Sequence, residues 1–259
     1  MNNQLEITLL GTGTSQGIPV IGCQCKTCKS TDPKDKRLRT AAFIQTADVG
    51  LAVDLGPDFR QQMLSNEISN VHAVLLTHEH NDHISGLDDI RPINFAYDRE
   101  IPIYGSARSL LEIRRRFFYA FDHEYHYPGK PRVSGVPIND QPFTVGRTEI
   151  IPISVDHGDL QVYGFRIGNF AYVTDAKTIP SYSMDLLQGL DVLILNALRF
   201  ISHPTHLNIE EAIALVERLR PGKTFFTHIS HDMGLHAEVN AILPEHIRLG
   251  YDGLRLKVN

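Results

Sequence analysis

The sequence VHAVLLTHEHNDH at residues 71–83 joins an apolar run to a cluster of histidines. Its first part, Val71–Thr77, consists largely of β-branched and aliphatic residues, a pattern that predicts a buried strand. Directly after it, His78–His83 places three imidazoles and the carboxylate of Asp82 within six residues. A polar cluster at the end of a buried strand indicates a functional site rather than a solvated loop.

The spacing of this motif suits a pair of metal ions. Side chains at i and i+2 of an extended segment point to the same side, so His78 and His80 can converge on one ion. Asp82 and His83 follow a turn and can face a second ion. Nitrogen and oxygen donors together fit divalent transition metals, and the sequence leaves Zn, Mn and Fe open. Two such ions about 3.5–4 Å apart can activate a bridging water for a displacement reaction.

Periodicity along the rest of the chain predicts alternating strands and helices. The other predicted strands are Leu5–Leu10, Ala41–Thr46, Gly50–Asp54, Ile101–Tyr104, Glu149–Val155, Gln161–Ile167, Ala171–Thr174, Asp191–Leu195 and Thr224–Thr227. The predicted helices are Asp58–Leu64, Ala107–Phe118, Met184–Gln188 and Ile209–Leu219, the last capped by Asn208. This order has no internal linker, which favours one α/β domain over residues 1–259, built from two packed sheets with outer helices.

Composition limits the classes of function. Of the 259 residues, 42% are hydrophobic and 21% are charged, as in a globular protein with a sizeable core. The net charge of −5 argues against a general nucleic-acid or membrane-surface binder. Apolar runs stay short of the roughly 20 residues of a membrane span, and the N-terminus lacks the pattern of a signal peptide. These features predict a cytoplasmic protein without a membrane or nucleic-acid partner.

The motif HxHxDH at His78–His83 resembles the signature of the metallo-β-lactamase superfamily. The resemblance implies a four-layer αββα sandwich and three further metal ligands at later strand ends. His157 would complete the first ion's ligands, Asp175 would bridge both ions, and His228 would complete the second ion's ligands. Asp54, in AVDLG, resembles an aspartate that supports the metal loop through hydrogen bonds.

Cys23, Cys25 and Cys28 form a CxCxxC cluster in a polar loop at about residues 18–38. Three closely spaced cysteines do not make a disulfide framework, and metal ligation explains them better. A closed structural zinc site needs a fourth ligand, which the spacing leaves open.

The segments GTGTSQG, GIPVIGCQCKTC and THISH are similar to those of the PhnP-type phosphodiesterases, and the similarity extends over nearly the whole chain. It implies that His231 completes a structural zinc site with the three cysteines, with His236 as a weaker candidate. It also implies a small phosphodiester substrate, such as a cyclic ribose phosphate, hydrolysed by a hydroxide that two metal ions hold. Besides its metal role, Asp82 is assigned to the catalytic machinery. His206 is the expected proton donor to the leaving group, near its ordinary pKa of about 6.5, with His203 as the second choice.

Other functions share parts of these motifs. A tRNA-processing nuclease of the tRNase Z type has HxHxDH, but the negative net charge and the lack of a basic insertion argue against it. A non-hydrolytic PqqB-like protein of cofactor biosynthesis carries a similar cysteine motif, although the HxHxDH set here is complete. Thiolester hydrolysis of the glyoxalase II kind is a weaker alternative, which the cysteine cluster does not support.

The sequence leaves three features open. The segment from Arg114 to Tyr127 combines arginines with aromatic residues, and it fits either a lid or subunit contact, or a helix on the core with a solvated basic face. Thr12, Ser15 and Gln16 either line a substrate pocket or form only a tight turn. A homodimer is common in related folds, while the sequence itself leaves the oligomeric state open.

Overall fold

The computed structural model describes residues 5–122, 124 and 128–258, and within these ranges it contains two seven-stranded sheets. The strands of the first sheet are β1 (Leu5–Gly11), β2 (Ala41–Gln45), β3 (Gly50–Val53), β4 (Ala73–Leu75), β5 (Ile101–Ser106), β6 (Val133–Ile138) and β14 (Arg255–Val258). Those of the second are β7 (Phe143–Val145), β8 (Thr148–His157), β9 (Leu160–Ile167), β10 (Phe170–Val173), β11 (Val192–Asn196), β12 (Lys223–Thr227) and β13 (Ile247–Leu249).

Helices lie between the strands and on the outer faces of both sheets. They are α1 (Lys26–Lys29), α2 (Phe59–Ser65), α3 (Asn81–Ile84), α4 (Arg91–Tyr97), α5 (Ala107–Arg116), α6 (Phe118–Phe121), α7 (Ser181–Leu186), α8 (Ile209–Leu219) and α9 (His236–Ile242). Short 3-10 turns cover Pro33–Asp35, Leu87–Ile90 and His231–Met233. Among the described residues, none of these helices combines the length and the apolar character that crossing a membrane requires.

The two sheets have the same mixed pattern. The first has the order β14-β1-β2-β3-β4-β5-β6, antiparallel up to β3 and parallel from β3 to β6. The second has the order β13-β12-β11-β10-β9-β8-β7, parallel from β13 to β10 and antiparallel beyond. The carboxyl ends of parallel strands meet at one edge of each sheet, and ligand sites form at such edges.

Apolar side chains alternate between the two faces of each strand and so build separate layers of core. In β4, Ala73 and Leu75 belong to the cluster between the two sheets, together with Phe165 and Tyr172 of the second sheet. Val74, between them, belongs to the outer cluster that packs under the helices of the first sheet. A third cluster joins the second sheet to α7, α8 and α9. The layers therefore run helix, sheet, sheet, helix, and the predicted four-layer α/β sandwich is confirmed.

Most predicted elements are present, with shorter or shifted bounds. The helix predicted over Ala107–Phe118 ends at Arg116, because Phe117 leaves the helical conformation before α6 begins. The helix predicted over Met184–Gln188 begins earlier, at Ser181, directly after Pro180. The predicted cysteine loop at about 18–38 contains the short helix α1 and a 3-10 turn.

Several short elements were missed because their local pattern is weak. Strand β6 contains Gly135 and Pro137, which argue against a strand in the middle of a sheet. It forms an edge of the first sheet, where proline is tolerated. Strands β13 and β14 are three and four residues long, too short to show alternation.

The predicted cap of helix α8, Asn208, is present and forms a complete capping box with Glu211. The Asn208 side-chain oxygen accepts a hydrogen bond from the Glu211 amide at 2.8 Å, and the Glu211 carboxylate accepts one from the Asn208 amide at 2.9 Å. Both bonds satisfy amides that otherwise have no partner in the first turn of a helix.

Replacing Asn208 by Ala should lower the free energy of unfolding by about 1 kcal/mol, because the first turn of α8 loses its cap. Urea denaturation measures this value. Asn208→Ser keeps an oxygen at the cap and should lose less stability. Equal stability of the alanine variant and the unmodified chain would contradict the role of the cap.

Candidate metal centre

The residues predicted to bind the two ions come from both sheets and lie at strand ends. Asp54 follows β3 and the segment His78–His83 follows β4 by two residues, in the first sheet. In the second sheet, His157 ends β8, Asp175 lies two positions after the end of β10, and His228 comes directly after β12. The parallel order of the strands explains why residues so distant in sequence meet at one place.

The donor atoms form overlapping groups in which all atoms lie within 4.8 Å of one another. These groups are His78, His80 and His157; His78, His83 and Asp175; and Asp82, His83 and His228. The first and last groups match the two ligand sets expected from the sequence, and Asp175 lies with members of both. These groups could hold two neighbouring metal ions.

The contacts within the cluster fit cations better than hydrogen bonds. Nε2 of His78 lies 2.9 Å from Nδ1 of His80, so that two ring nitrogens face each other. Nε2 of His228 lies 3.1 Å from Oδ1 of Asp175, yet neither nitrogen of this buried ring has a hydrogen-bond partner. Nε2 of His83 is equally buried and without such a partner. Buried polar atoms normally have one, so these orphaned nitrogens are consistent with metal coordination.

Neighbouring oxygens orient two of the rings through their other nitrogen. Nδ1 of His83 donates a hydrogen bond to Oδ2 of Asp54 at 2.7 Å, and Nδ1 of His157 donates one to the Thr205 carbonyl oxygen at 2.8 Å. Asp54 is fully buried and also accepts bonds from the amide and the hydroxyl of Thr77. Each ring thus presents Nε2 to the cluster, the arrangement that metal-binding histidines usually have. The expected supporting contact of Asp54 is present.

Three residues of the centre adopt left-handed backbone conformations. The φ angles are 66° at Asp54, 59° at Asp175 and 55° at His228. Side chains with a Cβ rarely occupy this region, and such strain persists where the surrounding structure imposes it. At these strand ends it turns each side chain towards the cluster.

Burial and opposite charges shift the pKa values of the cluster in opposing directions. Burial alone would lower the pKa of His228, but Asp175 beside it raises that pKa to about 9. Burial would raise the pKa of Asp175, but His228 and His83 hold it well below its usual value. Burial and the neighbouring His83 keep the pKa of His78 well below its usual value, so its ring is neutral. The carboxylate of Asp175 thus stabilises positive charge within the cluster, and bound cations would supply such charge.

His206 lies inside the centre rather than on an exposed loop. Its Nε2 is 3.1 Å from Oδ1 of Asp175, and it forms a group of possible metal ligands with Asp175 and His157. Its Nδ1 is 3.1 Å from Nδ1 of His203, the second candidate. Burial lowers the pKa of His206 to about 4, against the expectation of an ordinary value near 6.5. The ring is therefore neutral at pH 7, a state that suits a further ligand, and it could donate a proton only after taking one up.

The cysteine cluster forms a second group of possible metal ligands. Nδ1 of His231 lies 3.3 Å from Sγ of Cys23 and 3.4 Å from Sγ of Cys25, and Cys28 is in the same group. A hydrogen bond from the Cys28 amide, followed by one from His231, lowers the pKa of Cys25 to about 6, which favours the thiolate that binds metals. Three sulfurs and one nitrogen could hold a structural zinc ion.

Two weaker sequence candidates have other partners. Nδ1 of His236, the alternative fourth zinc ligand, lies 3.2 Å from Nη2 of Arg37. The hydroxyl of Thr12 donates to Asp252 and accepts from Arg37, and its side chain is buried. Thr12 therefore does not offer its hydroxyl to a substrate, whereas Ser15 and Gln16 in the same turn are exposed.

A buried threonine precedes three residues of the cluster, a feature that the sequence motifs above do not include. Thr77, Thr174 and Thr227 each precede a residue of the cluster, and all are buried. Their hydroxyls bond to Asp54, to Asp175 and to Thr40, respectively. The repeated pair of threonine followed by histidine or aspartate, in LLTHEH, YVTDA and FFTHIS, was the available signal.

Known proteins resemble this chain over most of its length. The crystal structure of a diphosphatase from the PhnP family is 39% identical, with a TM-score of 0.92, and the match covers 98% of this chain and 97% of that one. A ribonuclease Z of Mycobacterium bovis is 28% identical over 256 residues, which cover 86% of this chain and 85% of that protein.

An octanoyltransferase of Porphyromonas gingivalis is 42% identical over 254 residues, which cover 96% of this chain but 51% of that protein. This chain thus spans about half the length of that relative. A family model described as a β-lactamase superfamily domain matches residues 51–229. The HxHxDH motif, the paired sheets and this match agree: the chain belongs to the metallo-β-lactamase superfamily.

Proposed function

We propose that this chain is a metal-dependent phosphohydrolase of the PhnP type that cleaves a small phosphodiester. The observation that carries the proposal is the overlap of the two donor groups around His78 and His83, with Asp175 close to both. The likeness to a PhnP-family diphosphatase over nearly the full length of both chains supports phosphorus chemistry.

In this proposal each ion has ligands from both sheets. His78, His80 and His157 would hold one ion, Asp82, His83 and His228 would hold the other, and Asp175 would contribute to both. A bound metal pair supplies Lewis acidity and a water of lowered pKa.

The chain's own groups orient the reaction. Asp54 and the Thr205 carbonyl oxygen keep Nδ1 of His83 and His157 protonated, so that Nε2 of each ring carries the lone pair. His206 is close enough to the cluster for its neutral ring to take up the proton that the attacking water loses and to pass it to the departing oxygen. Asp82, half-buried at the opening of the cluster, helps to orient the attacking water.

Two other activities are less well supported. Ribonuclease Z acts on RNA, whereas the net charge of −5 disfavours a nucleic-acid substrate here. The octanoyltransferase relative is about twice as long, and we propose that acyl transfer belongs to its other half. A centre that activates water does not provide the acceptor group that acyl transfer needs.

A panel of substrates tests the proposed function with the purified, metal-loaded chain. Bis(4-nitrophenyl) phosphate and small cyclic diesters should be hydrolysed, and tRNA precursors should not be cleaved. Octanoyl thioesters should be neither transferred nor hydrolysed. Release of octanoate without phosphodiester hydrolysis would favour a thiolesterase of the glyoxalase II kind. Absence of both activities together with binding of a redox-cofactor precursor would favour the PqqB-like alternative.

Replacing Asp175 by Asn should lower kcat/KM for bis(4-nitrophenyl) phosphate by at least about a hundredfold, because the charge between the two ion sites is lost. Elemental analysis should show fewer metal ions per chain. Asp185→Asn removes the same charge at an exposed position of α7 and should retain metal and activity. Full metal content in the Asp175 variant would contradict the bridging role.

Replacing His231 by Ala should release about one zinc ion per chain and lower the melting temperature, because metal binding at the cysteine cluster contributes to folding. The catalytic pair should be partly retained. His236→Ala serves as the control, since His236 contacts Arg37 instead of the cysteines, and it should keep its zinc. Unchanged zinc content in the His231 variant would refute its assignment as a ligand.

Replacing His206 by Ala should reduce turnover of an alkyl diester by about a hundredfold or more, because the leaving alkoxide needs a proton. A nitrophenyl ester, whose leaving group needs none, should be affected much less. His203→Ala is the matched control, and it should show a smaller difference between the two substrates. Equal losses for both esters, accompanied by loss of metal, would instead identify His206 as a ligand.

A further inference from the structure

Helix α5 is attached to the metal loop by the residues of the HEHNDH motif that do not belong to the cluster. Glu79 is buried, and its two oxygens meet Nε of Arg108 at 2.9 Å and the hydroxyl of Ser109 at 2.8 Å. Two residues later, Oδ1 of Asn81 accepts a hydrogen bond from Nη1 of Arg116 at 2.6 Å. Side chains of the extended part, His78–His80, thus alternate between the cluster and α5, and Asn81 at the start of α3 also contacts α5.

Three consecutive arginines at the end of α5 have different surroundings. The Arg114 guanidinium lies over the Phe121 ring, 5.7 Å from its centroid. Arg115 forms an ion pair with Glu112 on the same helix, at 2.6 Å. Arg116 reaches the metal loop instead. The segment Arg114–Tyr127 thus begins as the last turn of α5, beside the metal loop, and continues into α6. Its residues Tyr125, His126 and Tyr127 lie outside the described part of the chain.

Arg116 lies on the side where the cluster opens to solvent. His78, His83 and His228 are buried, whereas His80 and Asn81 are exposed and Asp82 is half-buried. Because Arg116 is exposed and bonded to Asn81, its guanidinium lies beside the exposed part of the metal loop, next to the residue between His80 and Asp82.

The chemistry of this position favours an anion. A guanidinium has five N–H donors in a planar fork that matches phosphate oxygens, and the bond to Asn81 occupies one of them. Helix α5 contains four arginines and one glutamate, which makes it strongly basic in a chain whose net charge is −5. Basic residues also stabilise the last turn of a helix, but Arg114 and Arg115 fill that role equally well.

We propose that Arg116 binds a second anionic phosphoryl group of the substrate, next to the one that is cleaved. The inference rests on the proposed phosphohydrolase function and narrows its class of substrates. The preferred substrates are diesters or diphosphates with another phosphate within reach of the opening. A diester without that group binds at the cluster alone.

Two nitrophenyl substrates separate this role from the chemistry of the cluster. Thymidine 5′-(4-nitrophenyl phosphate) has one negative phosphate, and its 3′-phosphorylated form adds the second, with the same leaving group. Arg116→Gln should lower kcat/KM for the 3′-phosphorylated form about tenfold, mainly through KM, because a charged hydrogen bond is lost. The value for the singly charged ester should change by less than about twofold. Arg115→Gln, which removes the same charge from the adjacent position, should change neither substrate.

Calorimetry gives a readout that does not depend on turnover. The unmodified chain should bind thymidine 3′,5′-bisphosphate more tightly than thymidine 5′-phosphate, and Arg116→Gln should abolish that preference. Equal effects of the two arginine variants, equal losses on both esters, or no preference for the bisphosphate would overturn the role of Arg116. If the unmodified chain still hydrolyses the singly charged ester in those cases, the proposed function stands without a role for Arg116. If the unmodified chain hydrolyses neither ester, the proposed function itself fails.

Discussion

The candidate metal centre depends on the hydrogen bond of 2.7 Å between Nδ1 of His83 and Oδ2 of Asp54, which ties the histidine loop to the end of β3. Both side chains are completely buried, so the carboxylate needs a partner that can compensate its charge. By accepting a hydrogen bond from Nδ1 of His83, Asp54 leaves the other nitrogen free to bind a metal ion. The same carboxylate binds the amide and hydroxyl of Thr77 and so fixes the end of β4, from which the motif continues. One buried anion thereby sets both the position and the protonation state of the loop.

The mirrored order of the two sheets explains why such a centre can assemble at all. Each sheet has a parallel half, and the strands of that half end at the same edge. Asp54 and His78 come from the first sheet, Asp175 and His228 from the second, so each of the two ligand sets expected from the sequence draws on both sheets. The core of aromatic and aliphatic side chains between the sheets fixes the distance across which these residues face one another. Folding of the whole sandwich must therefore precede a competent site.

The sequence predicted what depends on local pattern and missed what depends on tertiary contacts. Runs such as Val71–Thr77 identified the buried strands, and the resemblance carried by HxHxDH named later residues, His157, Asp175 and His228, that the fold brings to the same cluster. Strand β6, with its glycine and proline, was missed because only its place at a sheet edge makes it a strand. The environment of His206 was misjudged for the same reason, since burial next to Asp175 comes from another strand. The contact between Arg116 and Asn81 spans 35 positions, and periodicity contains no information about it.

The cysteine cluster and the catalytic cluster are joined through a very short segment. His228 and His231 are three residues apart, and the backbone between them is fixed on both sides. The Ile229 amide donates to the Thr12 carbonyl at 2.9 Å, and the Ser230 amide donates to the Leu198 carbonyl at 2.9 Å. A metal ion bound to the cysteines and His231 would fix one end of this segment, and the position of His228 would follow. The cysteine loop is thus connected to the candidate metal centre, because three peptide units link its possible ligand His231 to His228.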